Sequence, residues 1–199
     1  TLFPYTTLFR SHAFAAILLD GSVVTWGNET RGGNSSFVRD QLKGVQQVQA
    51  TKGGAFAAIL ADGSVVTWGD PHYGGDSSAV QDQLRNVEQI QASYAAFAAI
   101  LADGSVVAWG NPDRGGNNSE VQHRLRGVQQ IQATNSAFAA ILGDGSVVTW
   151  GNRYAGADSS AVQDQLRSVQ QIQATGGAFA AILEDGSVVS WGNRNAGGD

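Results

Sequence analysis

Five tryptophans, at positions 26, 68, 109, 150 and 191, recur at intervals of 42, 41, 41 and 41 residues. Each closes the same phrase, A-F-A-A-I-L-x-D-G-S-V-V-x-W-G, which starts at Ala13, Ala55, Ala96, Ala137 and Ala178. A second block fills the space between phrases. Its fullest copy reads G-G-D-S-S-A-V-Q-D-Q-L-R-N-V-E-Q-I-Q-A-S, from Gly74 to Ser93. A chain with this period is an array of one supersecondary unit, and each unit buries its apolar faces against its neighbours.

The unit reads as β structure. Asp-Gly between two apolar runs is a strong hairpin signal, and it occurs at 20–21, 62–63, 103–104, 144–145 and 185–186. A two-residue turn at 103–104, with positive φ at both positions, predicts pairing of Leu101 with Val106, Ile100 with Val107 and Ala98 with Trp109. One face then carries Phe97, Ala99, Leu101 and Val106; the other carries Ala98, Ile100, Val107 and Trp109. Both faces are apolar, so both must be covered, as in blades stacked face to face. Val87 to Ala92 reads as a further strand, with Ile90 and Ala92 in the apolar layer. Ser78–Gln81 has capping-box spacing, and Val80 and Leu84 predict a short helix of about two turns against the blade edge.

A lone three-stranded sheet is marginal in water, so the units must stack. The expected fold is all-β: a β-propeller fragment of tandem repeats, with three-stranded antiparallel blades and short connecting helices. Two strands of a first blade are expected over 13–27. Full blades are expected over 45–69, 87–110, 128–151 and 169–192.

Residues 1–11, T-L-F-P-Y-T-T-L-F-R-S, stand outside the repeat. They match, codon by codon, the translation of a widely used sequencing-adapter primer, and are read as an artefact rather than native chain. Residues 12–199 are read as a partial propeller of about four and a half repeats, cut at both ends. Formal net charge is −5, the wrong sign for a phosphate-backbone binder. Cysteine is absent, which removes disulfides and thiolate metal sites. No apolar run approaches the ~20 residues of a membrane helix.

The phrase V-x-x-I-x-A-x-x-x-A-F-A-A-I-L-x-D-G-S-V-V-x-W-G-N resembles the repeat of the regulator of chromosome condensation superfamily: an apolar strand, a D-G turn, then V-x-x-W-G and a Gly-rich loop. His12 stands where such repeats often carry His; later copies have Gly54, Ala95, Ser136 and Gly177. The short period is similar to that of the bacterial propeller-type β-lactamase inhibitor, whose blades are three-stranded. The resemblance covers residues 12–199. Where that family has Gly-Gln-Leu-Gly after the tryptophan strand, this chain has Gly-Gly-Asp-Ser-Ser, as at 74–78. The resemblance implies a propeller that usually closes with seven blades. It also implies a protein partner as varied as a small GTPase, a ubiquitin-pathway substrate or a secreted hydrolase. Guanine-nucleotide exchange, hydrolase inhibition, or service as an accessory module of a larger ubiquitin-ligase-type protein are the functions it brings with it. The WD-repeat propeller has a similar period, but its Trp-Asp is Trp-Gly here in every copy.

No catalytic set emerges. His12, His72 and His123 fall at three different repeat positions. The Gly pairs lack the G-K-[ST] of a phosphate loop, and the repeated Asp residues serve turns. The expectation is a non-enzyme with no cofactor and no metal, binding a protein rather than nucleic acid or membrane. Asn28, Asn34 and Asn117 head glycosylation sequons, which matter only in a secreted protein.

The repeats differ mainly at two places. One follows W-G-N/D: Glu29–Arg31, Pro71–Tyr73, Pro112–Arg114, Arg153–Ala155 and Arg194–Ala196. The other lies between the first and second strands: Lys52–Gly54, Tyr94–Ala95, Asn135–Ser136 and Gly176–Gly177. Strand parity puts both at one end of every blade, and the unvarying D-G turns at the other. Tyr and Arg, the residues of binding hot spots, are frequent among the variants, although loops also drift where nothing constrains them. The candidate partner-binding residues are Arg31, His72, Tyr73, Tyr94, Asp113, Arg114, Arg153, Tyr154 and Arg194.

Overall fold

In the computed structural model, the described residues are 13–198 and the backbone of Thr6–Thr7. Five three-stranded antiparallel sheets follow one another along them. Blade one holds β1 (Thr6–Thr7), β2 (Ala13–Ile17) and β3 (Val23–Gly27). Blade two holds β4 (Val45–Ala50), β5 (Ala55–Leu60) and β6 (Val65–Gly69). Blade three holds β7 (Val87–Ala92), β8 (Ala96–Leu101) and β9 (Val106–Gly110). Blade four holds β10 (Val128–Ala133), β11 (Ala137–Leu142) and β12 (Val147–Gly151), and blade five β13 (Val169–Ala174), β14 (Ala178–Leu183) and β15 (Val188–Gly192). The four full blades have the predicted bounds. Blade one was expected to have two strands. Instead, the backbone of Thr6 and Thr7 pairs with Ala16 and Ala15, since an open strand edge is a template for any chain lying beside it. The remainder of the segment read as adapter, and His12, lie outside the described residues.

The hairpin register differs from the expectation by one residue. Gly104 N–H donates to Leu101 O at 2.8 Å, and Leu101 N–H to Ser105 O at 2.9 Å. The loop is therefore three residues, Ala102–Gly104, with only Gly104 left-handed at φ +75°. This is a type I turn closed by a left-handed glycine. Asp103 favours it by accepting from the Ser105 N–H at 2.9 Å and hydroxyl at 2.6 Å, an Asx turn that holds the aspartate at negative φ. Pairing becomes Ile100 with Val106, Ala99 with Val107 and Phe97 with Trp109. Phe97 and Trp109 consequently share a face and stack at 5.1 Å. Val106, expected beside Phe97, joins Ala96, Ala98 and Ile100 on the opposite face.

The same bonds hold the carboxyls of Asp20, Asp62, Asp103, Asp144 and Asp185 below the ordinary aspartate value of 3.8, through the Ser hydroxyl first and the Ser N–H second. A carboxyl depressed in the folded state stabilises fully above its unfolded value, and that contribution is lost as pH falls through the lowered folded value. The unfolding midpoint should therefore drop as pH goes below 3.8. Asp103→Asn should flatten that acid slope, and thermal melts across an acid pH series read it.

Each blade sets its large face against the small face of the blade before. Phe97, Ala99, Val107 and Trp109 pack on Ala55, Ala57, Ile59 and Val65, and the same contact repeats at the next two junctions. Small residues opposite large rings let sheets approach to interior packing density. The indole N–H of Trp68, Trp109, Trp150 and Trp191 donates to the carbonyl of Gly32, Gly74, Gly115 and Gly156 in the preceding repeat at 2.9–3.1 Å. At the D-G end, the N–H of Val45, Val87, Val128 and Val169 donates to the turn carbonyl of Gly21, Gly63, Gly104 and Gly145 at 2.9 Å. Those turns are inter-blade joints, which accounts for their sameness.

Val87 and Ile90 are both core residues although their spacing is odd for a strand. A bulge between Val87 and Gln89 reconciles them, because one inserted residue returns the chain to the same face. The two-turn helix expected from Ser78 is a single 3-10 turn, Gln81–Gln83. Gln81 has a better partner than a helix cap: its amide donates to Val65 O at 2.9 Å. Gln122 and Gln163 do likewise to Val106 and Val147, so this segment covers the outer edge of the third strand. Leu84, predicted to anchor it, is buried.

Candidate interaction face

The loop between the first and second strands and the turn after the third strand meet at one end of each blade, as parity required. Asp70, Asn111, Asn152 and Asn193 donate their N–H to the carbonyls of Gly54, Ala95, Ser136 and Gly177 at 2.8–3.1 Å. Each post-tryptophan turn is a 3-10 turn ending in a left-handed glycine. In those at Pro71, Pro112, Arg153 and Arg194 the preceding Asp or Asn side chain caps the second N–H. The variable residues thus stand on a capped, repeated frame.

That frame brings four predicted residues into one row across three blades. Arg31 lies over the Tyr73 ring at 5.5 Å. Tyr73 meets Tyr94 edge-on at 5.9 Å, and Arg114 lies over Tyr94 at 5.4 Å. Cation–π geometry of this kind is worth about 0.5–1 kcal/mol at exposed sites. The row is tied down at both ends: an Arg31 guanidinium N–H donates to Gly53 O and one from Arg114 to the Ser136 hydroxyl, each at 2.6 Å. Arg31, Tyr73 and Arg114 are half-buried and Tyr94 is exposed.

The other candidates lie outside the row. Arg153 covers its own neighbour Tyr154 at 5.6 Å and reaches Asp158 at 3.5 Å. Asp113 and Arg153 line one groove of about 620 Å³ between blades three and four. Arg153, Tyr154 and Arg194 line its counterpart of about 700 Å³ one blade further on. His72 is exposed, and its backbone N–H is used by Asp70.

Sequence reasoning missed the support beneath this face. Gly53 N–H donates to Tyr94 O, Tyr94 N–H to Asn135 O, and Asn135 N–H to Gly176 O at 2.9–3.1 Å. This is a backbone chain running across four blades. Lys52 Nζ spans to Asn135 Oδ1 at 2.7 Å. Ser93, Thr134 and Thr175 donate their hydroxyls to Arg114, Ala155 and Ala196 carbonyls at 2.9–3.0 Å. The signal was present: a Ser or Thr stands at 51, 93, 134 and 175 in every full copy. Among the described residues no group of three or more His, Cys, Asp or Glu could hold a metal ion, and no helix is long and apolar enough to cross a membrane.

No family model and no curated relative matches the chain. Solved structures do. Prp20p from Saccharomyces cerevisiae aligns with a TM-score of 0.60 at 18% identity, over 94% of this chain and 56% of its own. Human WBSCR16 gives 0.59 at 18%, over 91% and 59%. The ectodomain of the Physcomitrella patens receptor kinase CR4 gives 0.59 at 15%, over 94% and 52%. Prp20 is yeast RCC1. The fold is thus a repeat propeller of the RCC1 type, and the chain spans little more than half the length of these proteins.

Proposed function

We propose that the chain is a protein-interaction propeller that binds its partner through the end carrying the Arg–Tyr row, without covalent chemistry. The observation that carries this reading is the row itself. Its residues come from three repeats that otherwise agree almost letter for letter, and each arginine is held through one guanidinium nitrogen, Nη1, while the Tyr94 side chain is exposed. Tyr and Arg give large contact area and charge-assisted bonds. Arg31 and Arg114, which have no carboxylate within salt-bridge distance among the described residues, favour a partner that offers hydrogen-bond acceptors to their remaining guanidinium N–H groups. Among solved propellers of this fold, Prp20p is described by its binding to Gsp1p and histones, and yeast RCC1 has been seen with Kap60.

The test is affinity capture with two multiple variants. One replaces Tyr73, Tyr94 and Tyr154 by Ala; the other changes Ser64, Ser105 and Ser146 at the D-G end to Lys. Capture lost in the first and kept in the second is the expected result. Loss in the second alone, with both variants folded, rejects this face.

A further inference from the structure

The first interval between tryptophans is 42 residues and the other three are 41. Backbone bonds locate the extra residue. Gly53 N–H donates to Tyr94 O as Tyr94 N–H does to Asn135 O, and Gly54 O accepts from Asp70 N–H as Ala95 O does from Asn111 N–H. Gly53 and Gly54 therefore stand where Tyr94 and Ala95 stand one blade on. Thr51 N–H bonds across its loop to Ala55 O as Ser93 N–H does to Ala96 O. The added residue is Lys52.

Loop closure does not require it. Without Lys52 the loop of blade two reads Ala50-Thr51-Gly53-Gly54-Ala55, the same five residues that close blade five as Ala174–Ala178. The insertion also goes with the loss of a bond. In blades three, four and five the loop hydroxyl reaches the turn after the tryptophan strand. The Thr51 hydroxyl stays within its own loop, donating to Ala55 O at 3.4 Å and accepting from Ala55 N–H at 3.1 Å.

What the insertion adds is an ammonium group carried across to blade four. Lys52 is exposed, and its Nζ donates to Asn135 Oδ1 at 2.7 Å. That bond uses one of three N–H groups, and it leaves Asn135 Nδ2 as a donor beside the charge. Lys52 and Asn135 line one cavity of about 440 Å³ together with Ala50, Ala92 and Ala133. Among the described residues no carboxylate lies within salt-bridge distance of Lys52.

We propose that Lys52 is a specificity-determining residue of the interaction face and takes an aspartate or glutamate side chain of the partner protein. One carboxylate oxygen accepts from Lys52 Nζ and the other from Asn135 Nδ2, while the short aliphatic stem lies against the alanines. An ammonium and one amide match the two oxygens of a carboxylate and leave an oxygen of a phosphate unmet. The inference rests on the reading that the Arg–Tyr end is the binding face.

The probe is a fluorescein-labelled peptide of four glutamates flanked by alanines, followed by anisotropy at low salt beside its glutamine version. Deletion of Lys52 and Lys52→Ala should each raise the Kd about five- to tenfold, the worth of one exposed charge-assisted contact. Lys43→Ala removes the same charge from an exposed position outside the cavity and should leave the Kd unchanged. Circular dichroism checks folding, and Lys52→Ala keeps the loop length should the deletion unfold. An unchanged Kd without Lys52, equal weakening by Lys43→Ala, equal binding of the glutamine peptide, or no binding of either peptide overturns the proposal. So does full displacement of the peptide by equimolar acetate, which marks a site for small anions. Failure of the wider reading looks different: the Tyr73, Tyr94 and Tyr154 variant then captures partner as the wild type does, while peptide binding still depends on Lys52.

Discussion

Trp109→Ala should lower the stability of the array by about 3–5 kcal/mol, the usual cost of removing a large buried aromatic. The ring is 3% exposed. It stacks on Phe97 at 5.1 Å and donates its indole N–H to Gly74 O at 3.1 Å. Truncation opens a cavity across the junction between blades two and three, strips Phe97 of its partner and orphans a buried carbonyl. Trp109→Phe keeps much of the area but loses the hydrogen bond, a loss of about 1 kcal/mol, plus the void left by the smaller ring. Trp26→Ala in dilute protein should cost less than either, since that ring is already 45% exposed. Urea unfolding followed by circular dichroism ranks the three. A midpoint unmoved by Trp109→Ala would place the side chain outside the junction. In an array whose core junctions join only neighbouring repeats, stability is close to a sum of repeat and junction terms. One weakened junction should therefore uncouple the blades on either side of it.

The period, the strand bounds and the pairing of loop ends were legible because nearly identical copies act as an internal alignment. The hairpin register was not. Asp-Gly suits both a two-residue turn with two left-handed residues and a three-residue turn with one, and the choice depends on what the Asp carboxylate does. Here it takes both donors of the serine two residues on. That local bond moves every partner by one and sets Phe97 opposite Trp109. The helix signal misled for a similar reason: Gln81 is drawn to the unpaired carbonyl of Val65 on the strand edge, a tertiary partner that spacing does not reveal. Strand parity located the variable residues at one end, yet it could not show that Tyr73 meets Tyr94. Lateral neighbours depend on the rotation between blades, and that rotation is set by the fit of Phe and Trp against Ala. Parity also gave no sign that Arg153 would turn away to Asp158.

The invariant glycine of Trp-Gly gives the second large effect. Gly110 has φ +100°, and a Cβ there would lie 2.7 Å from Ala95 O, 2.9 Å from Ala96 Cα and 3.2 Å from Gly74 Cα. All three obstacles are backbone, so no side chain can rotate out of the way. Gly110→Ala therefore combines left-handed strain of roughly 1–2 kcal/mol with overpacking of about 1–3 kcal/mol, on the order of 3 kcal/mol together. Gly127→Ala is the control. Its φ is +62° and nothing lies within 4 Å of an added Cβ. The equivalent positions already hold Asn86 and Ser168 at φ +53° and +51°, so only the strain should remain, about 1 kcal/mol. Thermal melts should separate the two variants clearly. Equal shifts would mean that the backbone around Gly110 yields, and that the junction is softer than its contacts imply. The position matters beyond stability. Ala95 follows Tyr94, Gly110 leads into the turn that carries Arg114, and Gly74 follows Tyr73, so an expanded backbone here spreads the three turns on which the Arg–Tyr row stands. The variant should consequently lose partner capture at temperatures where it is still folded, whereas Gly127→Ala, at the opposite end of the blade, should keep it.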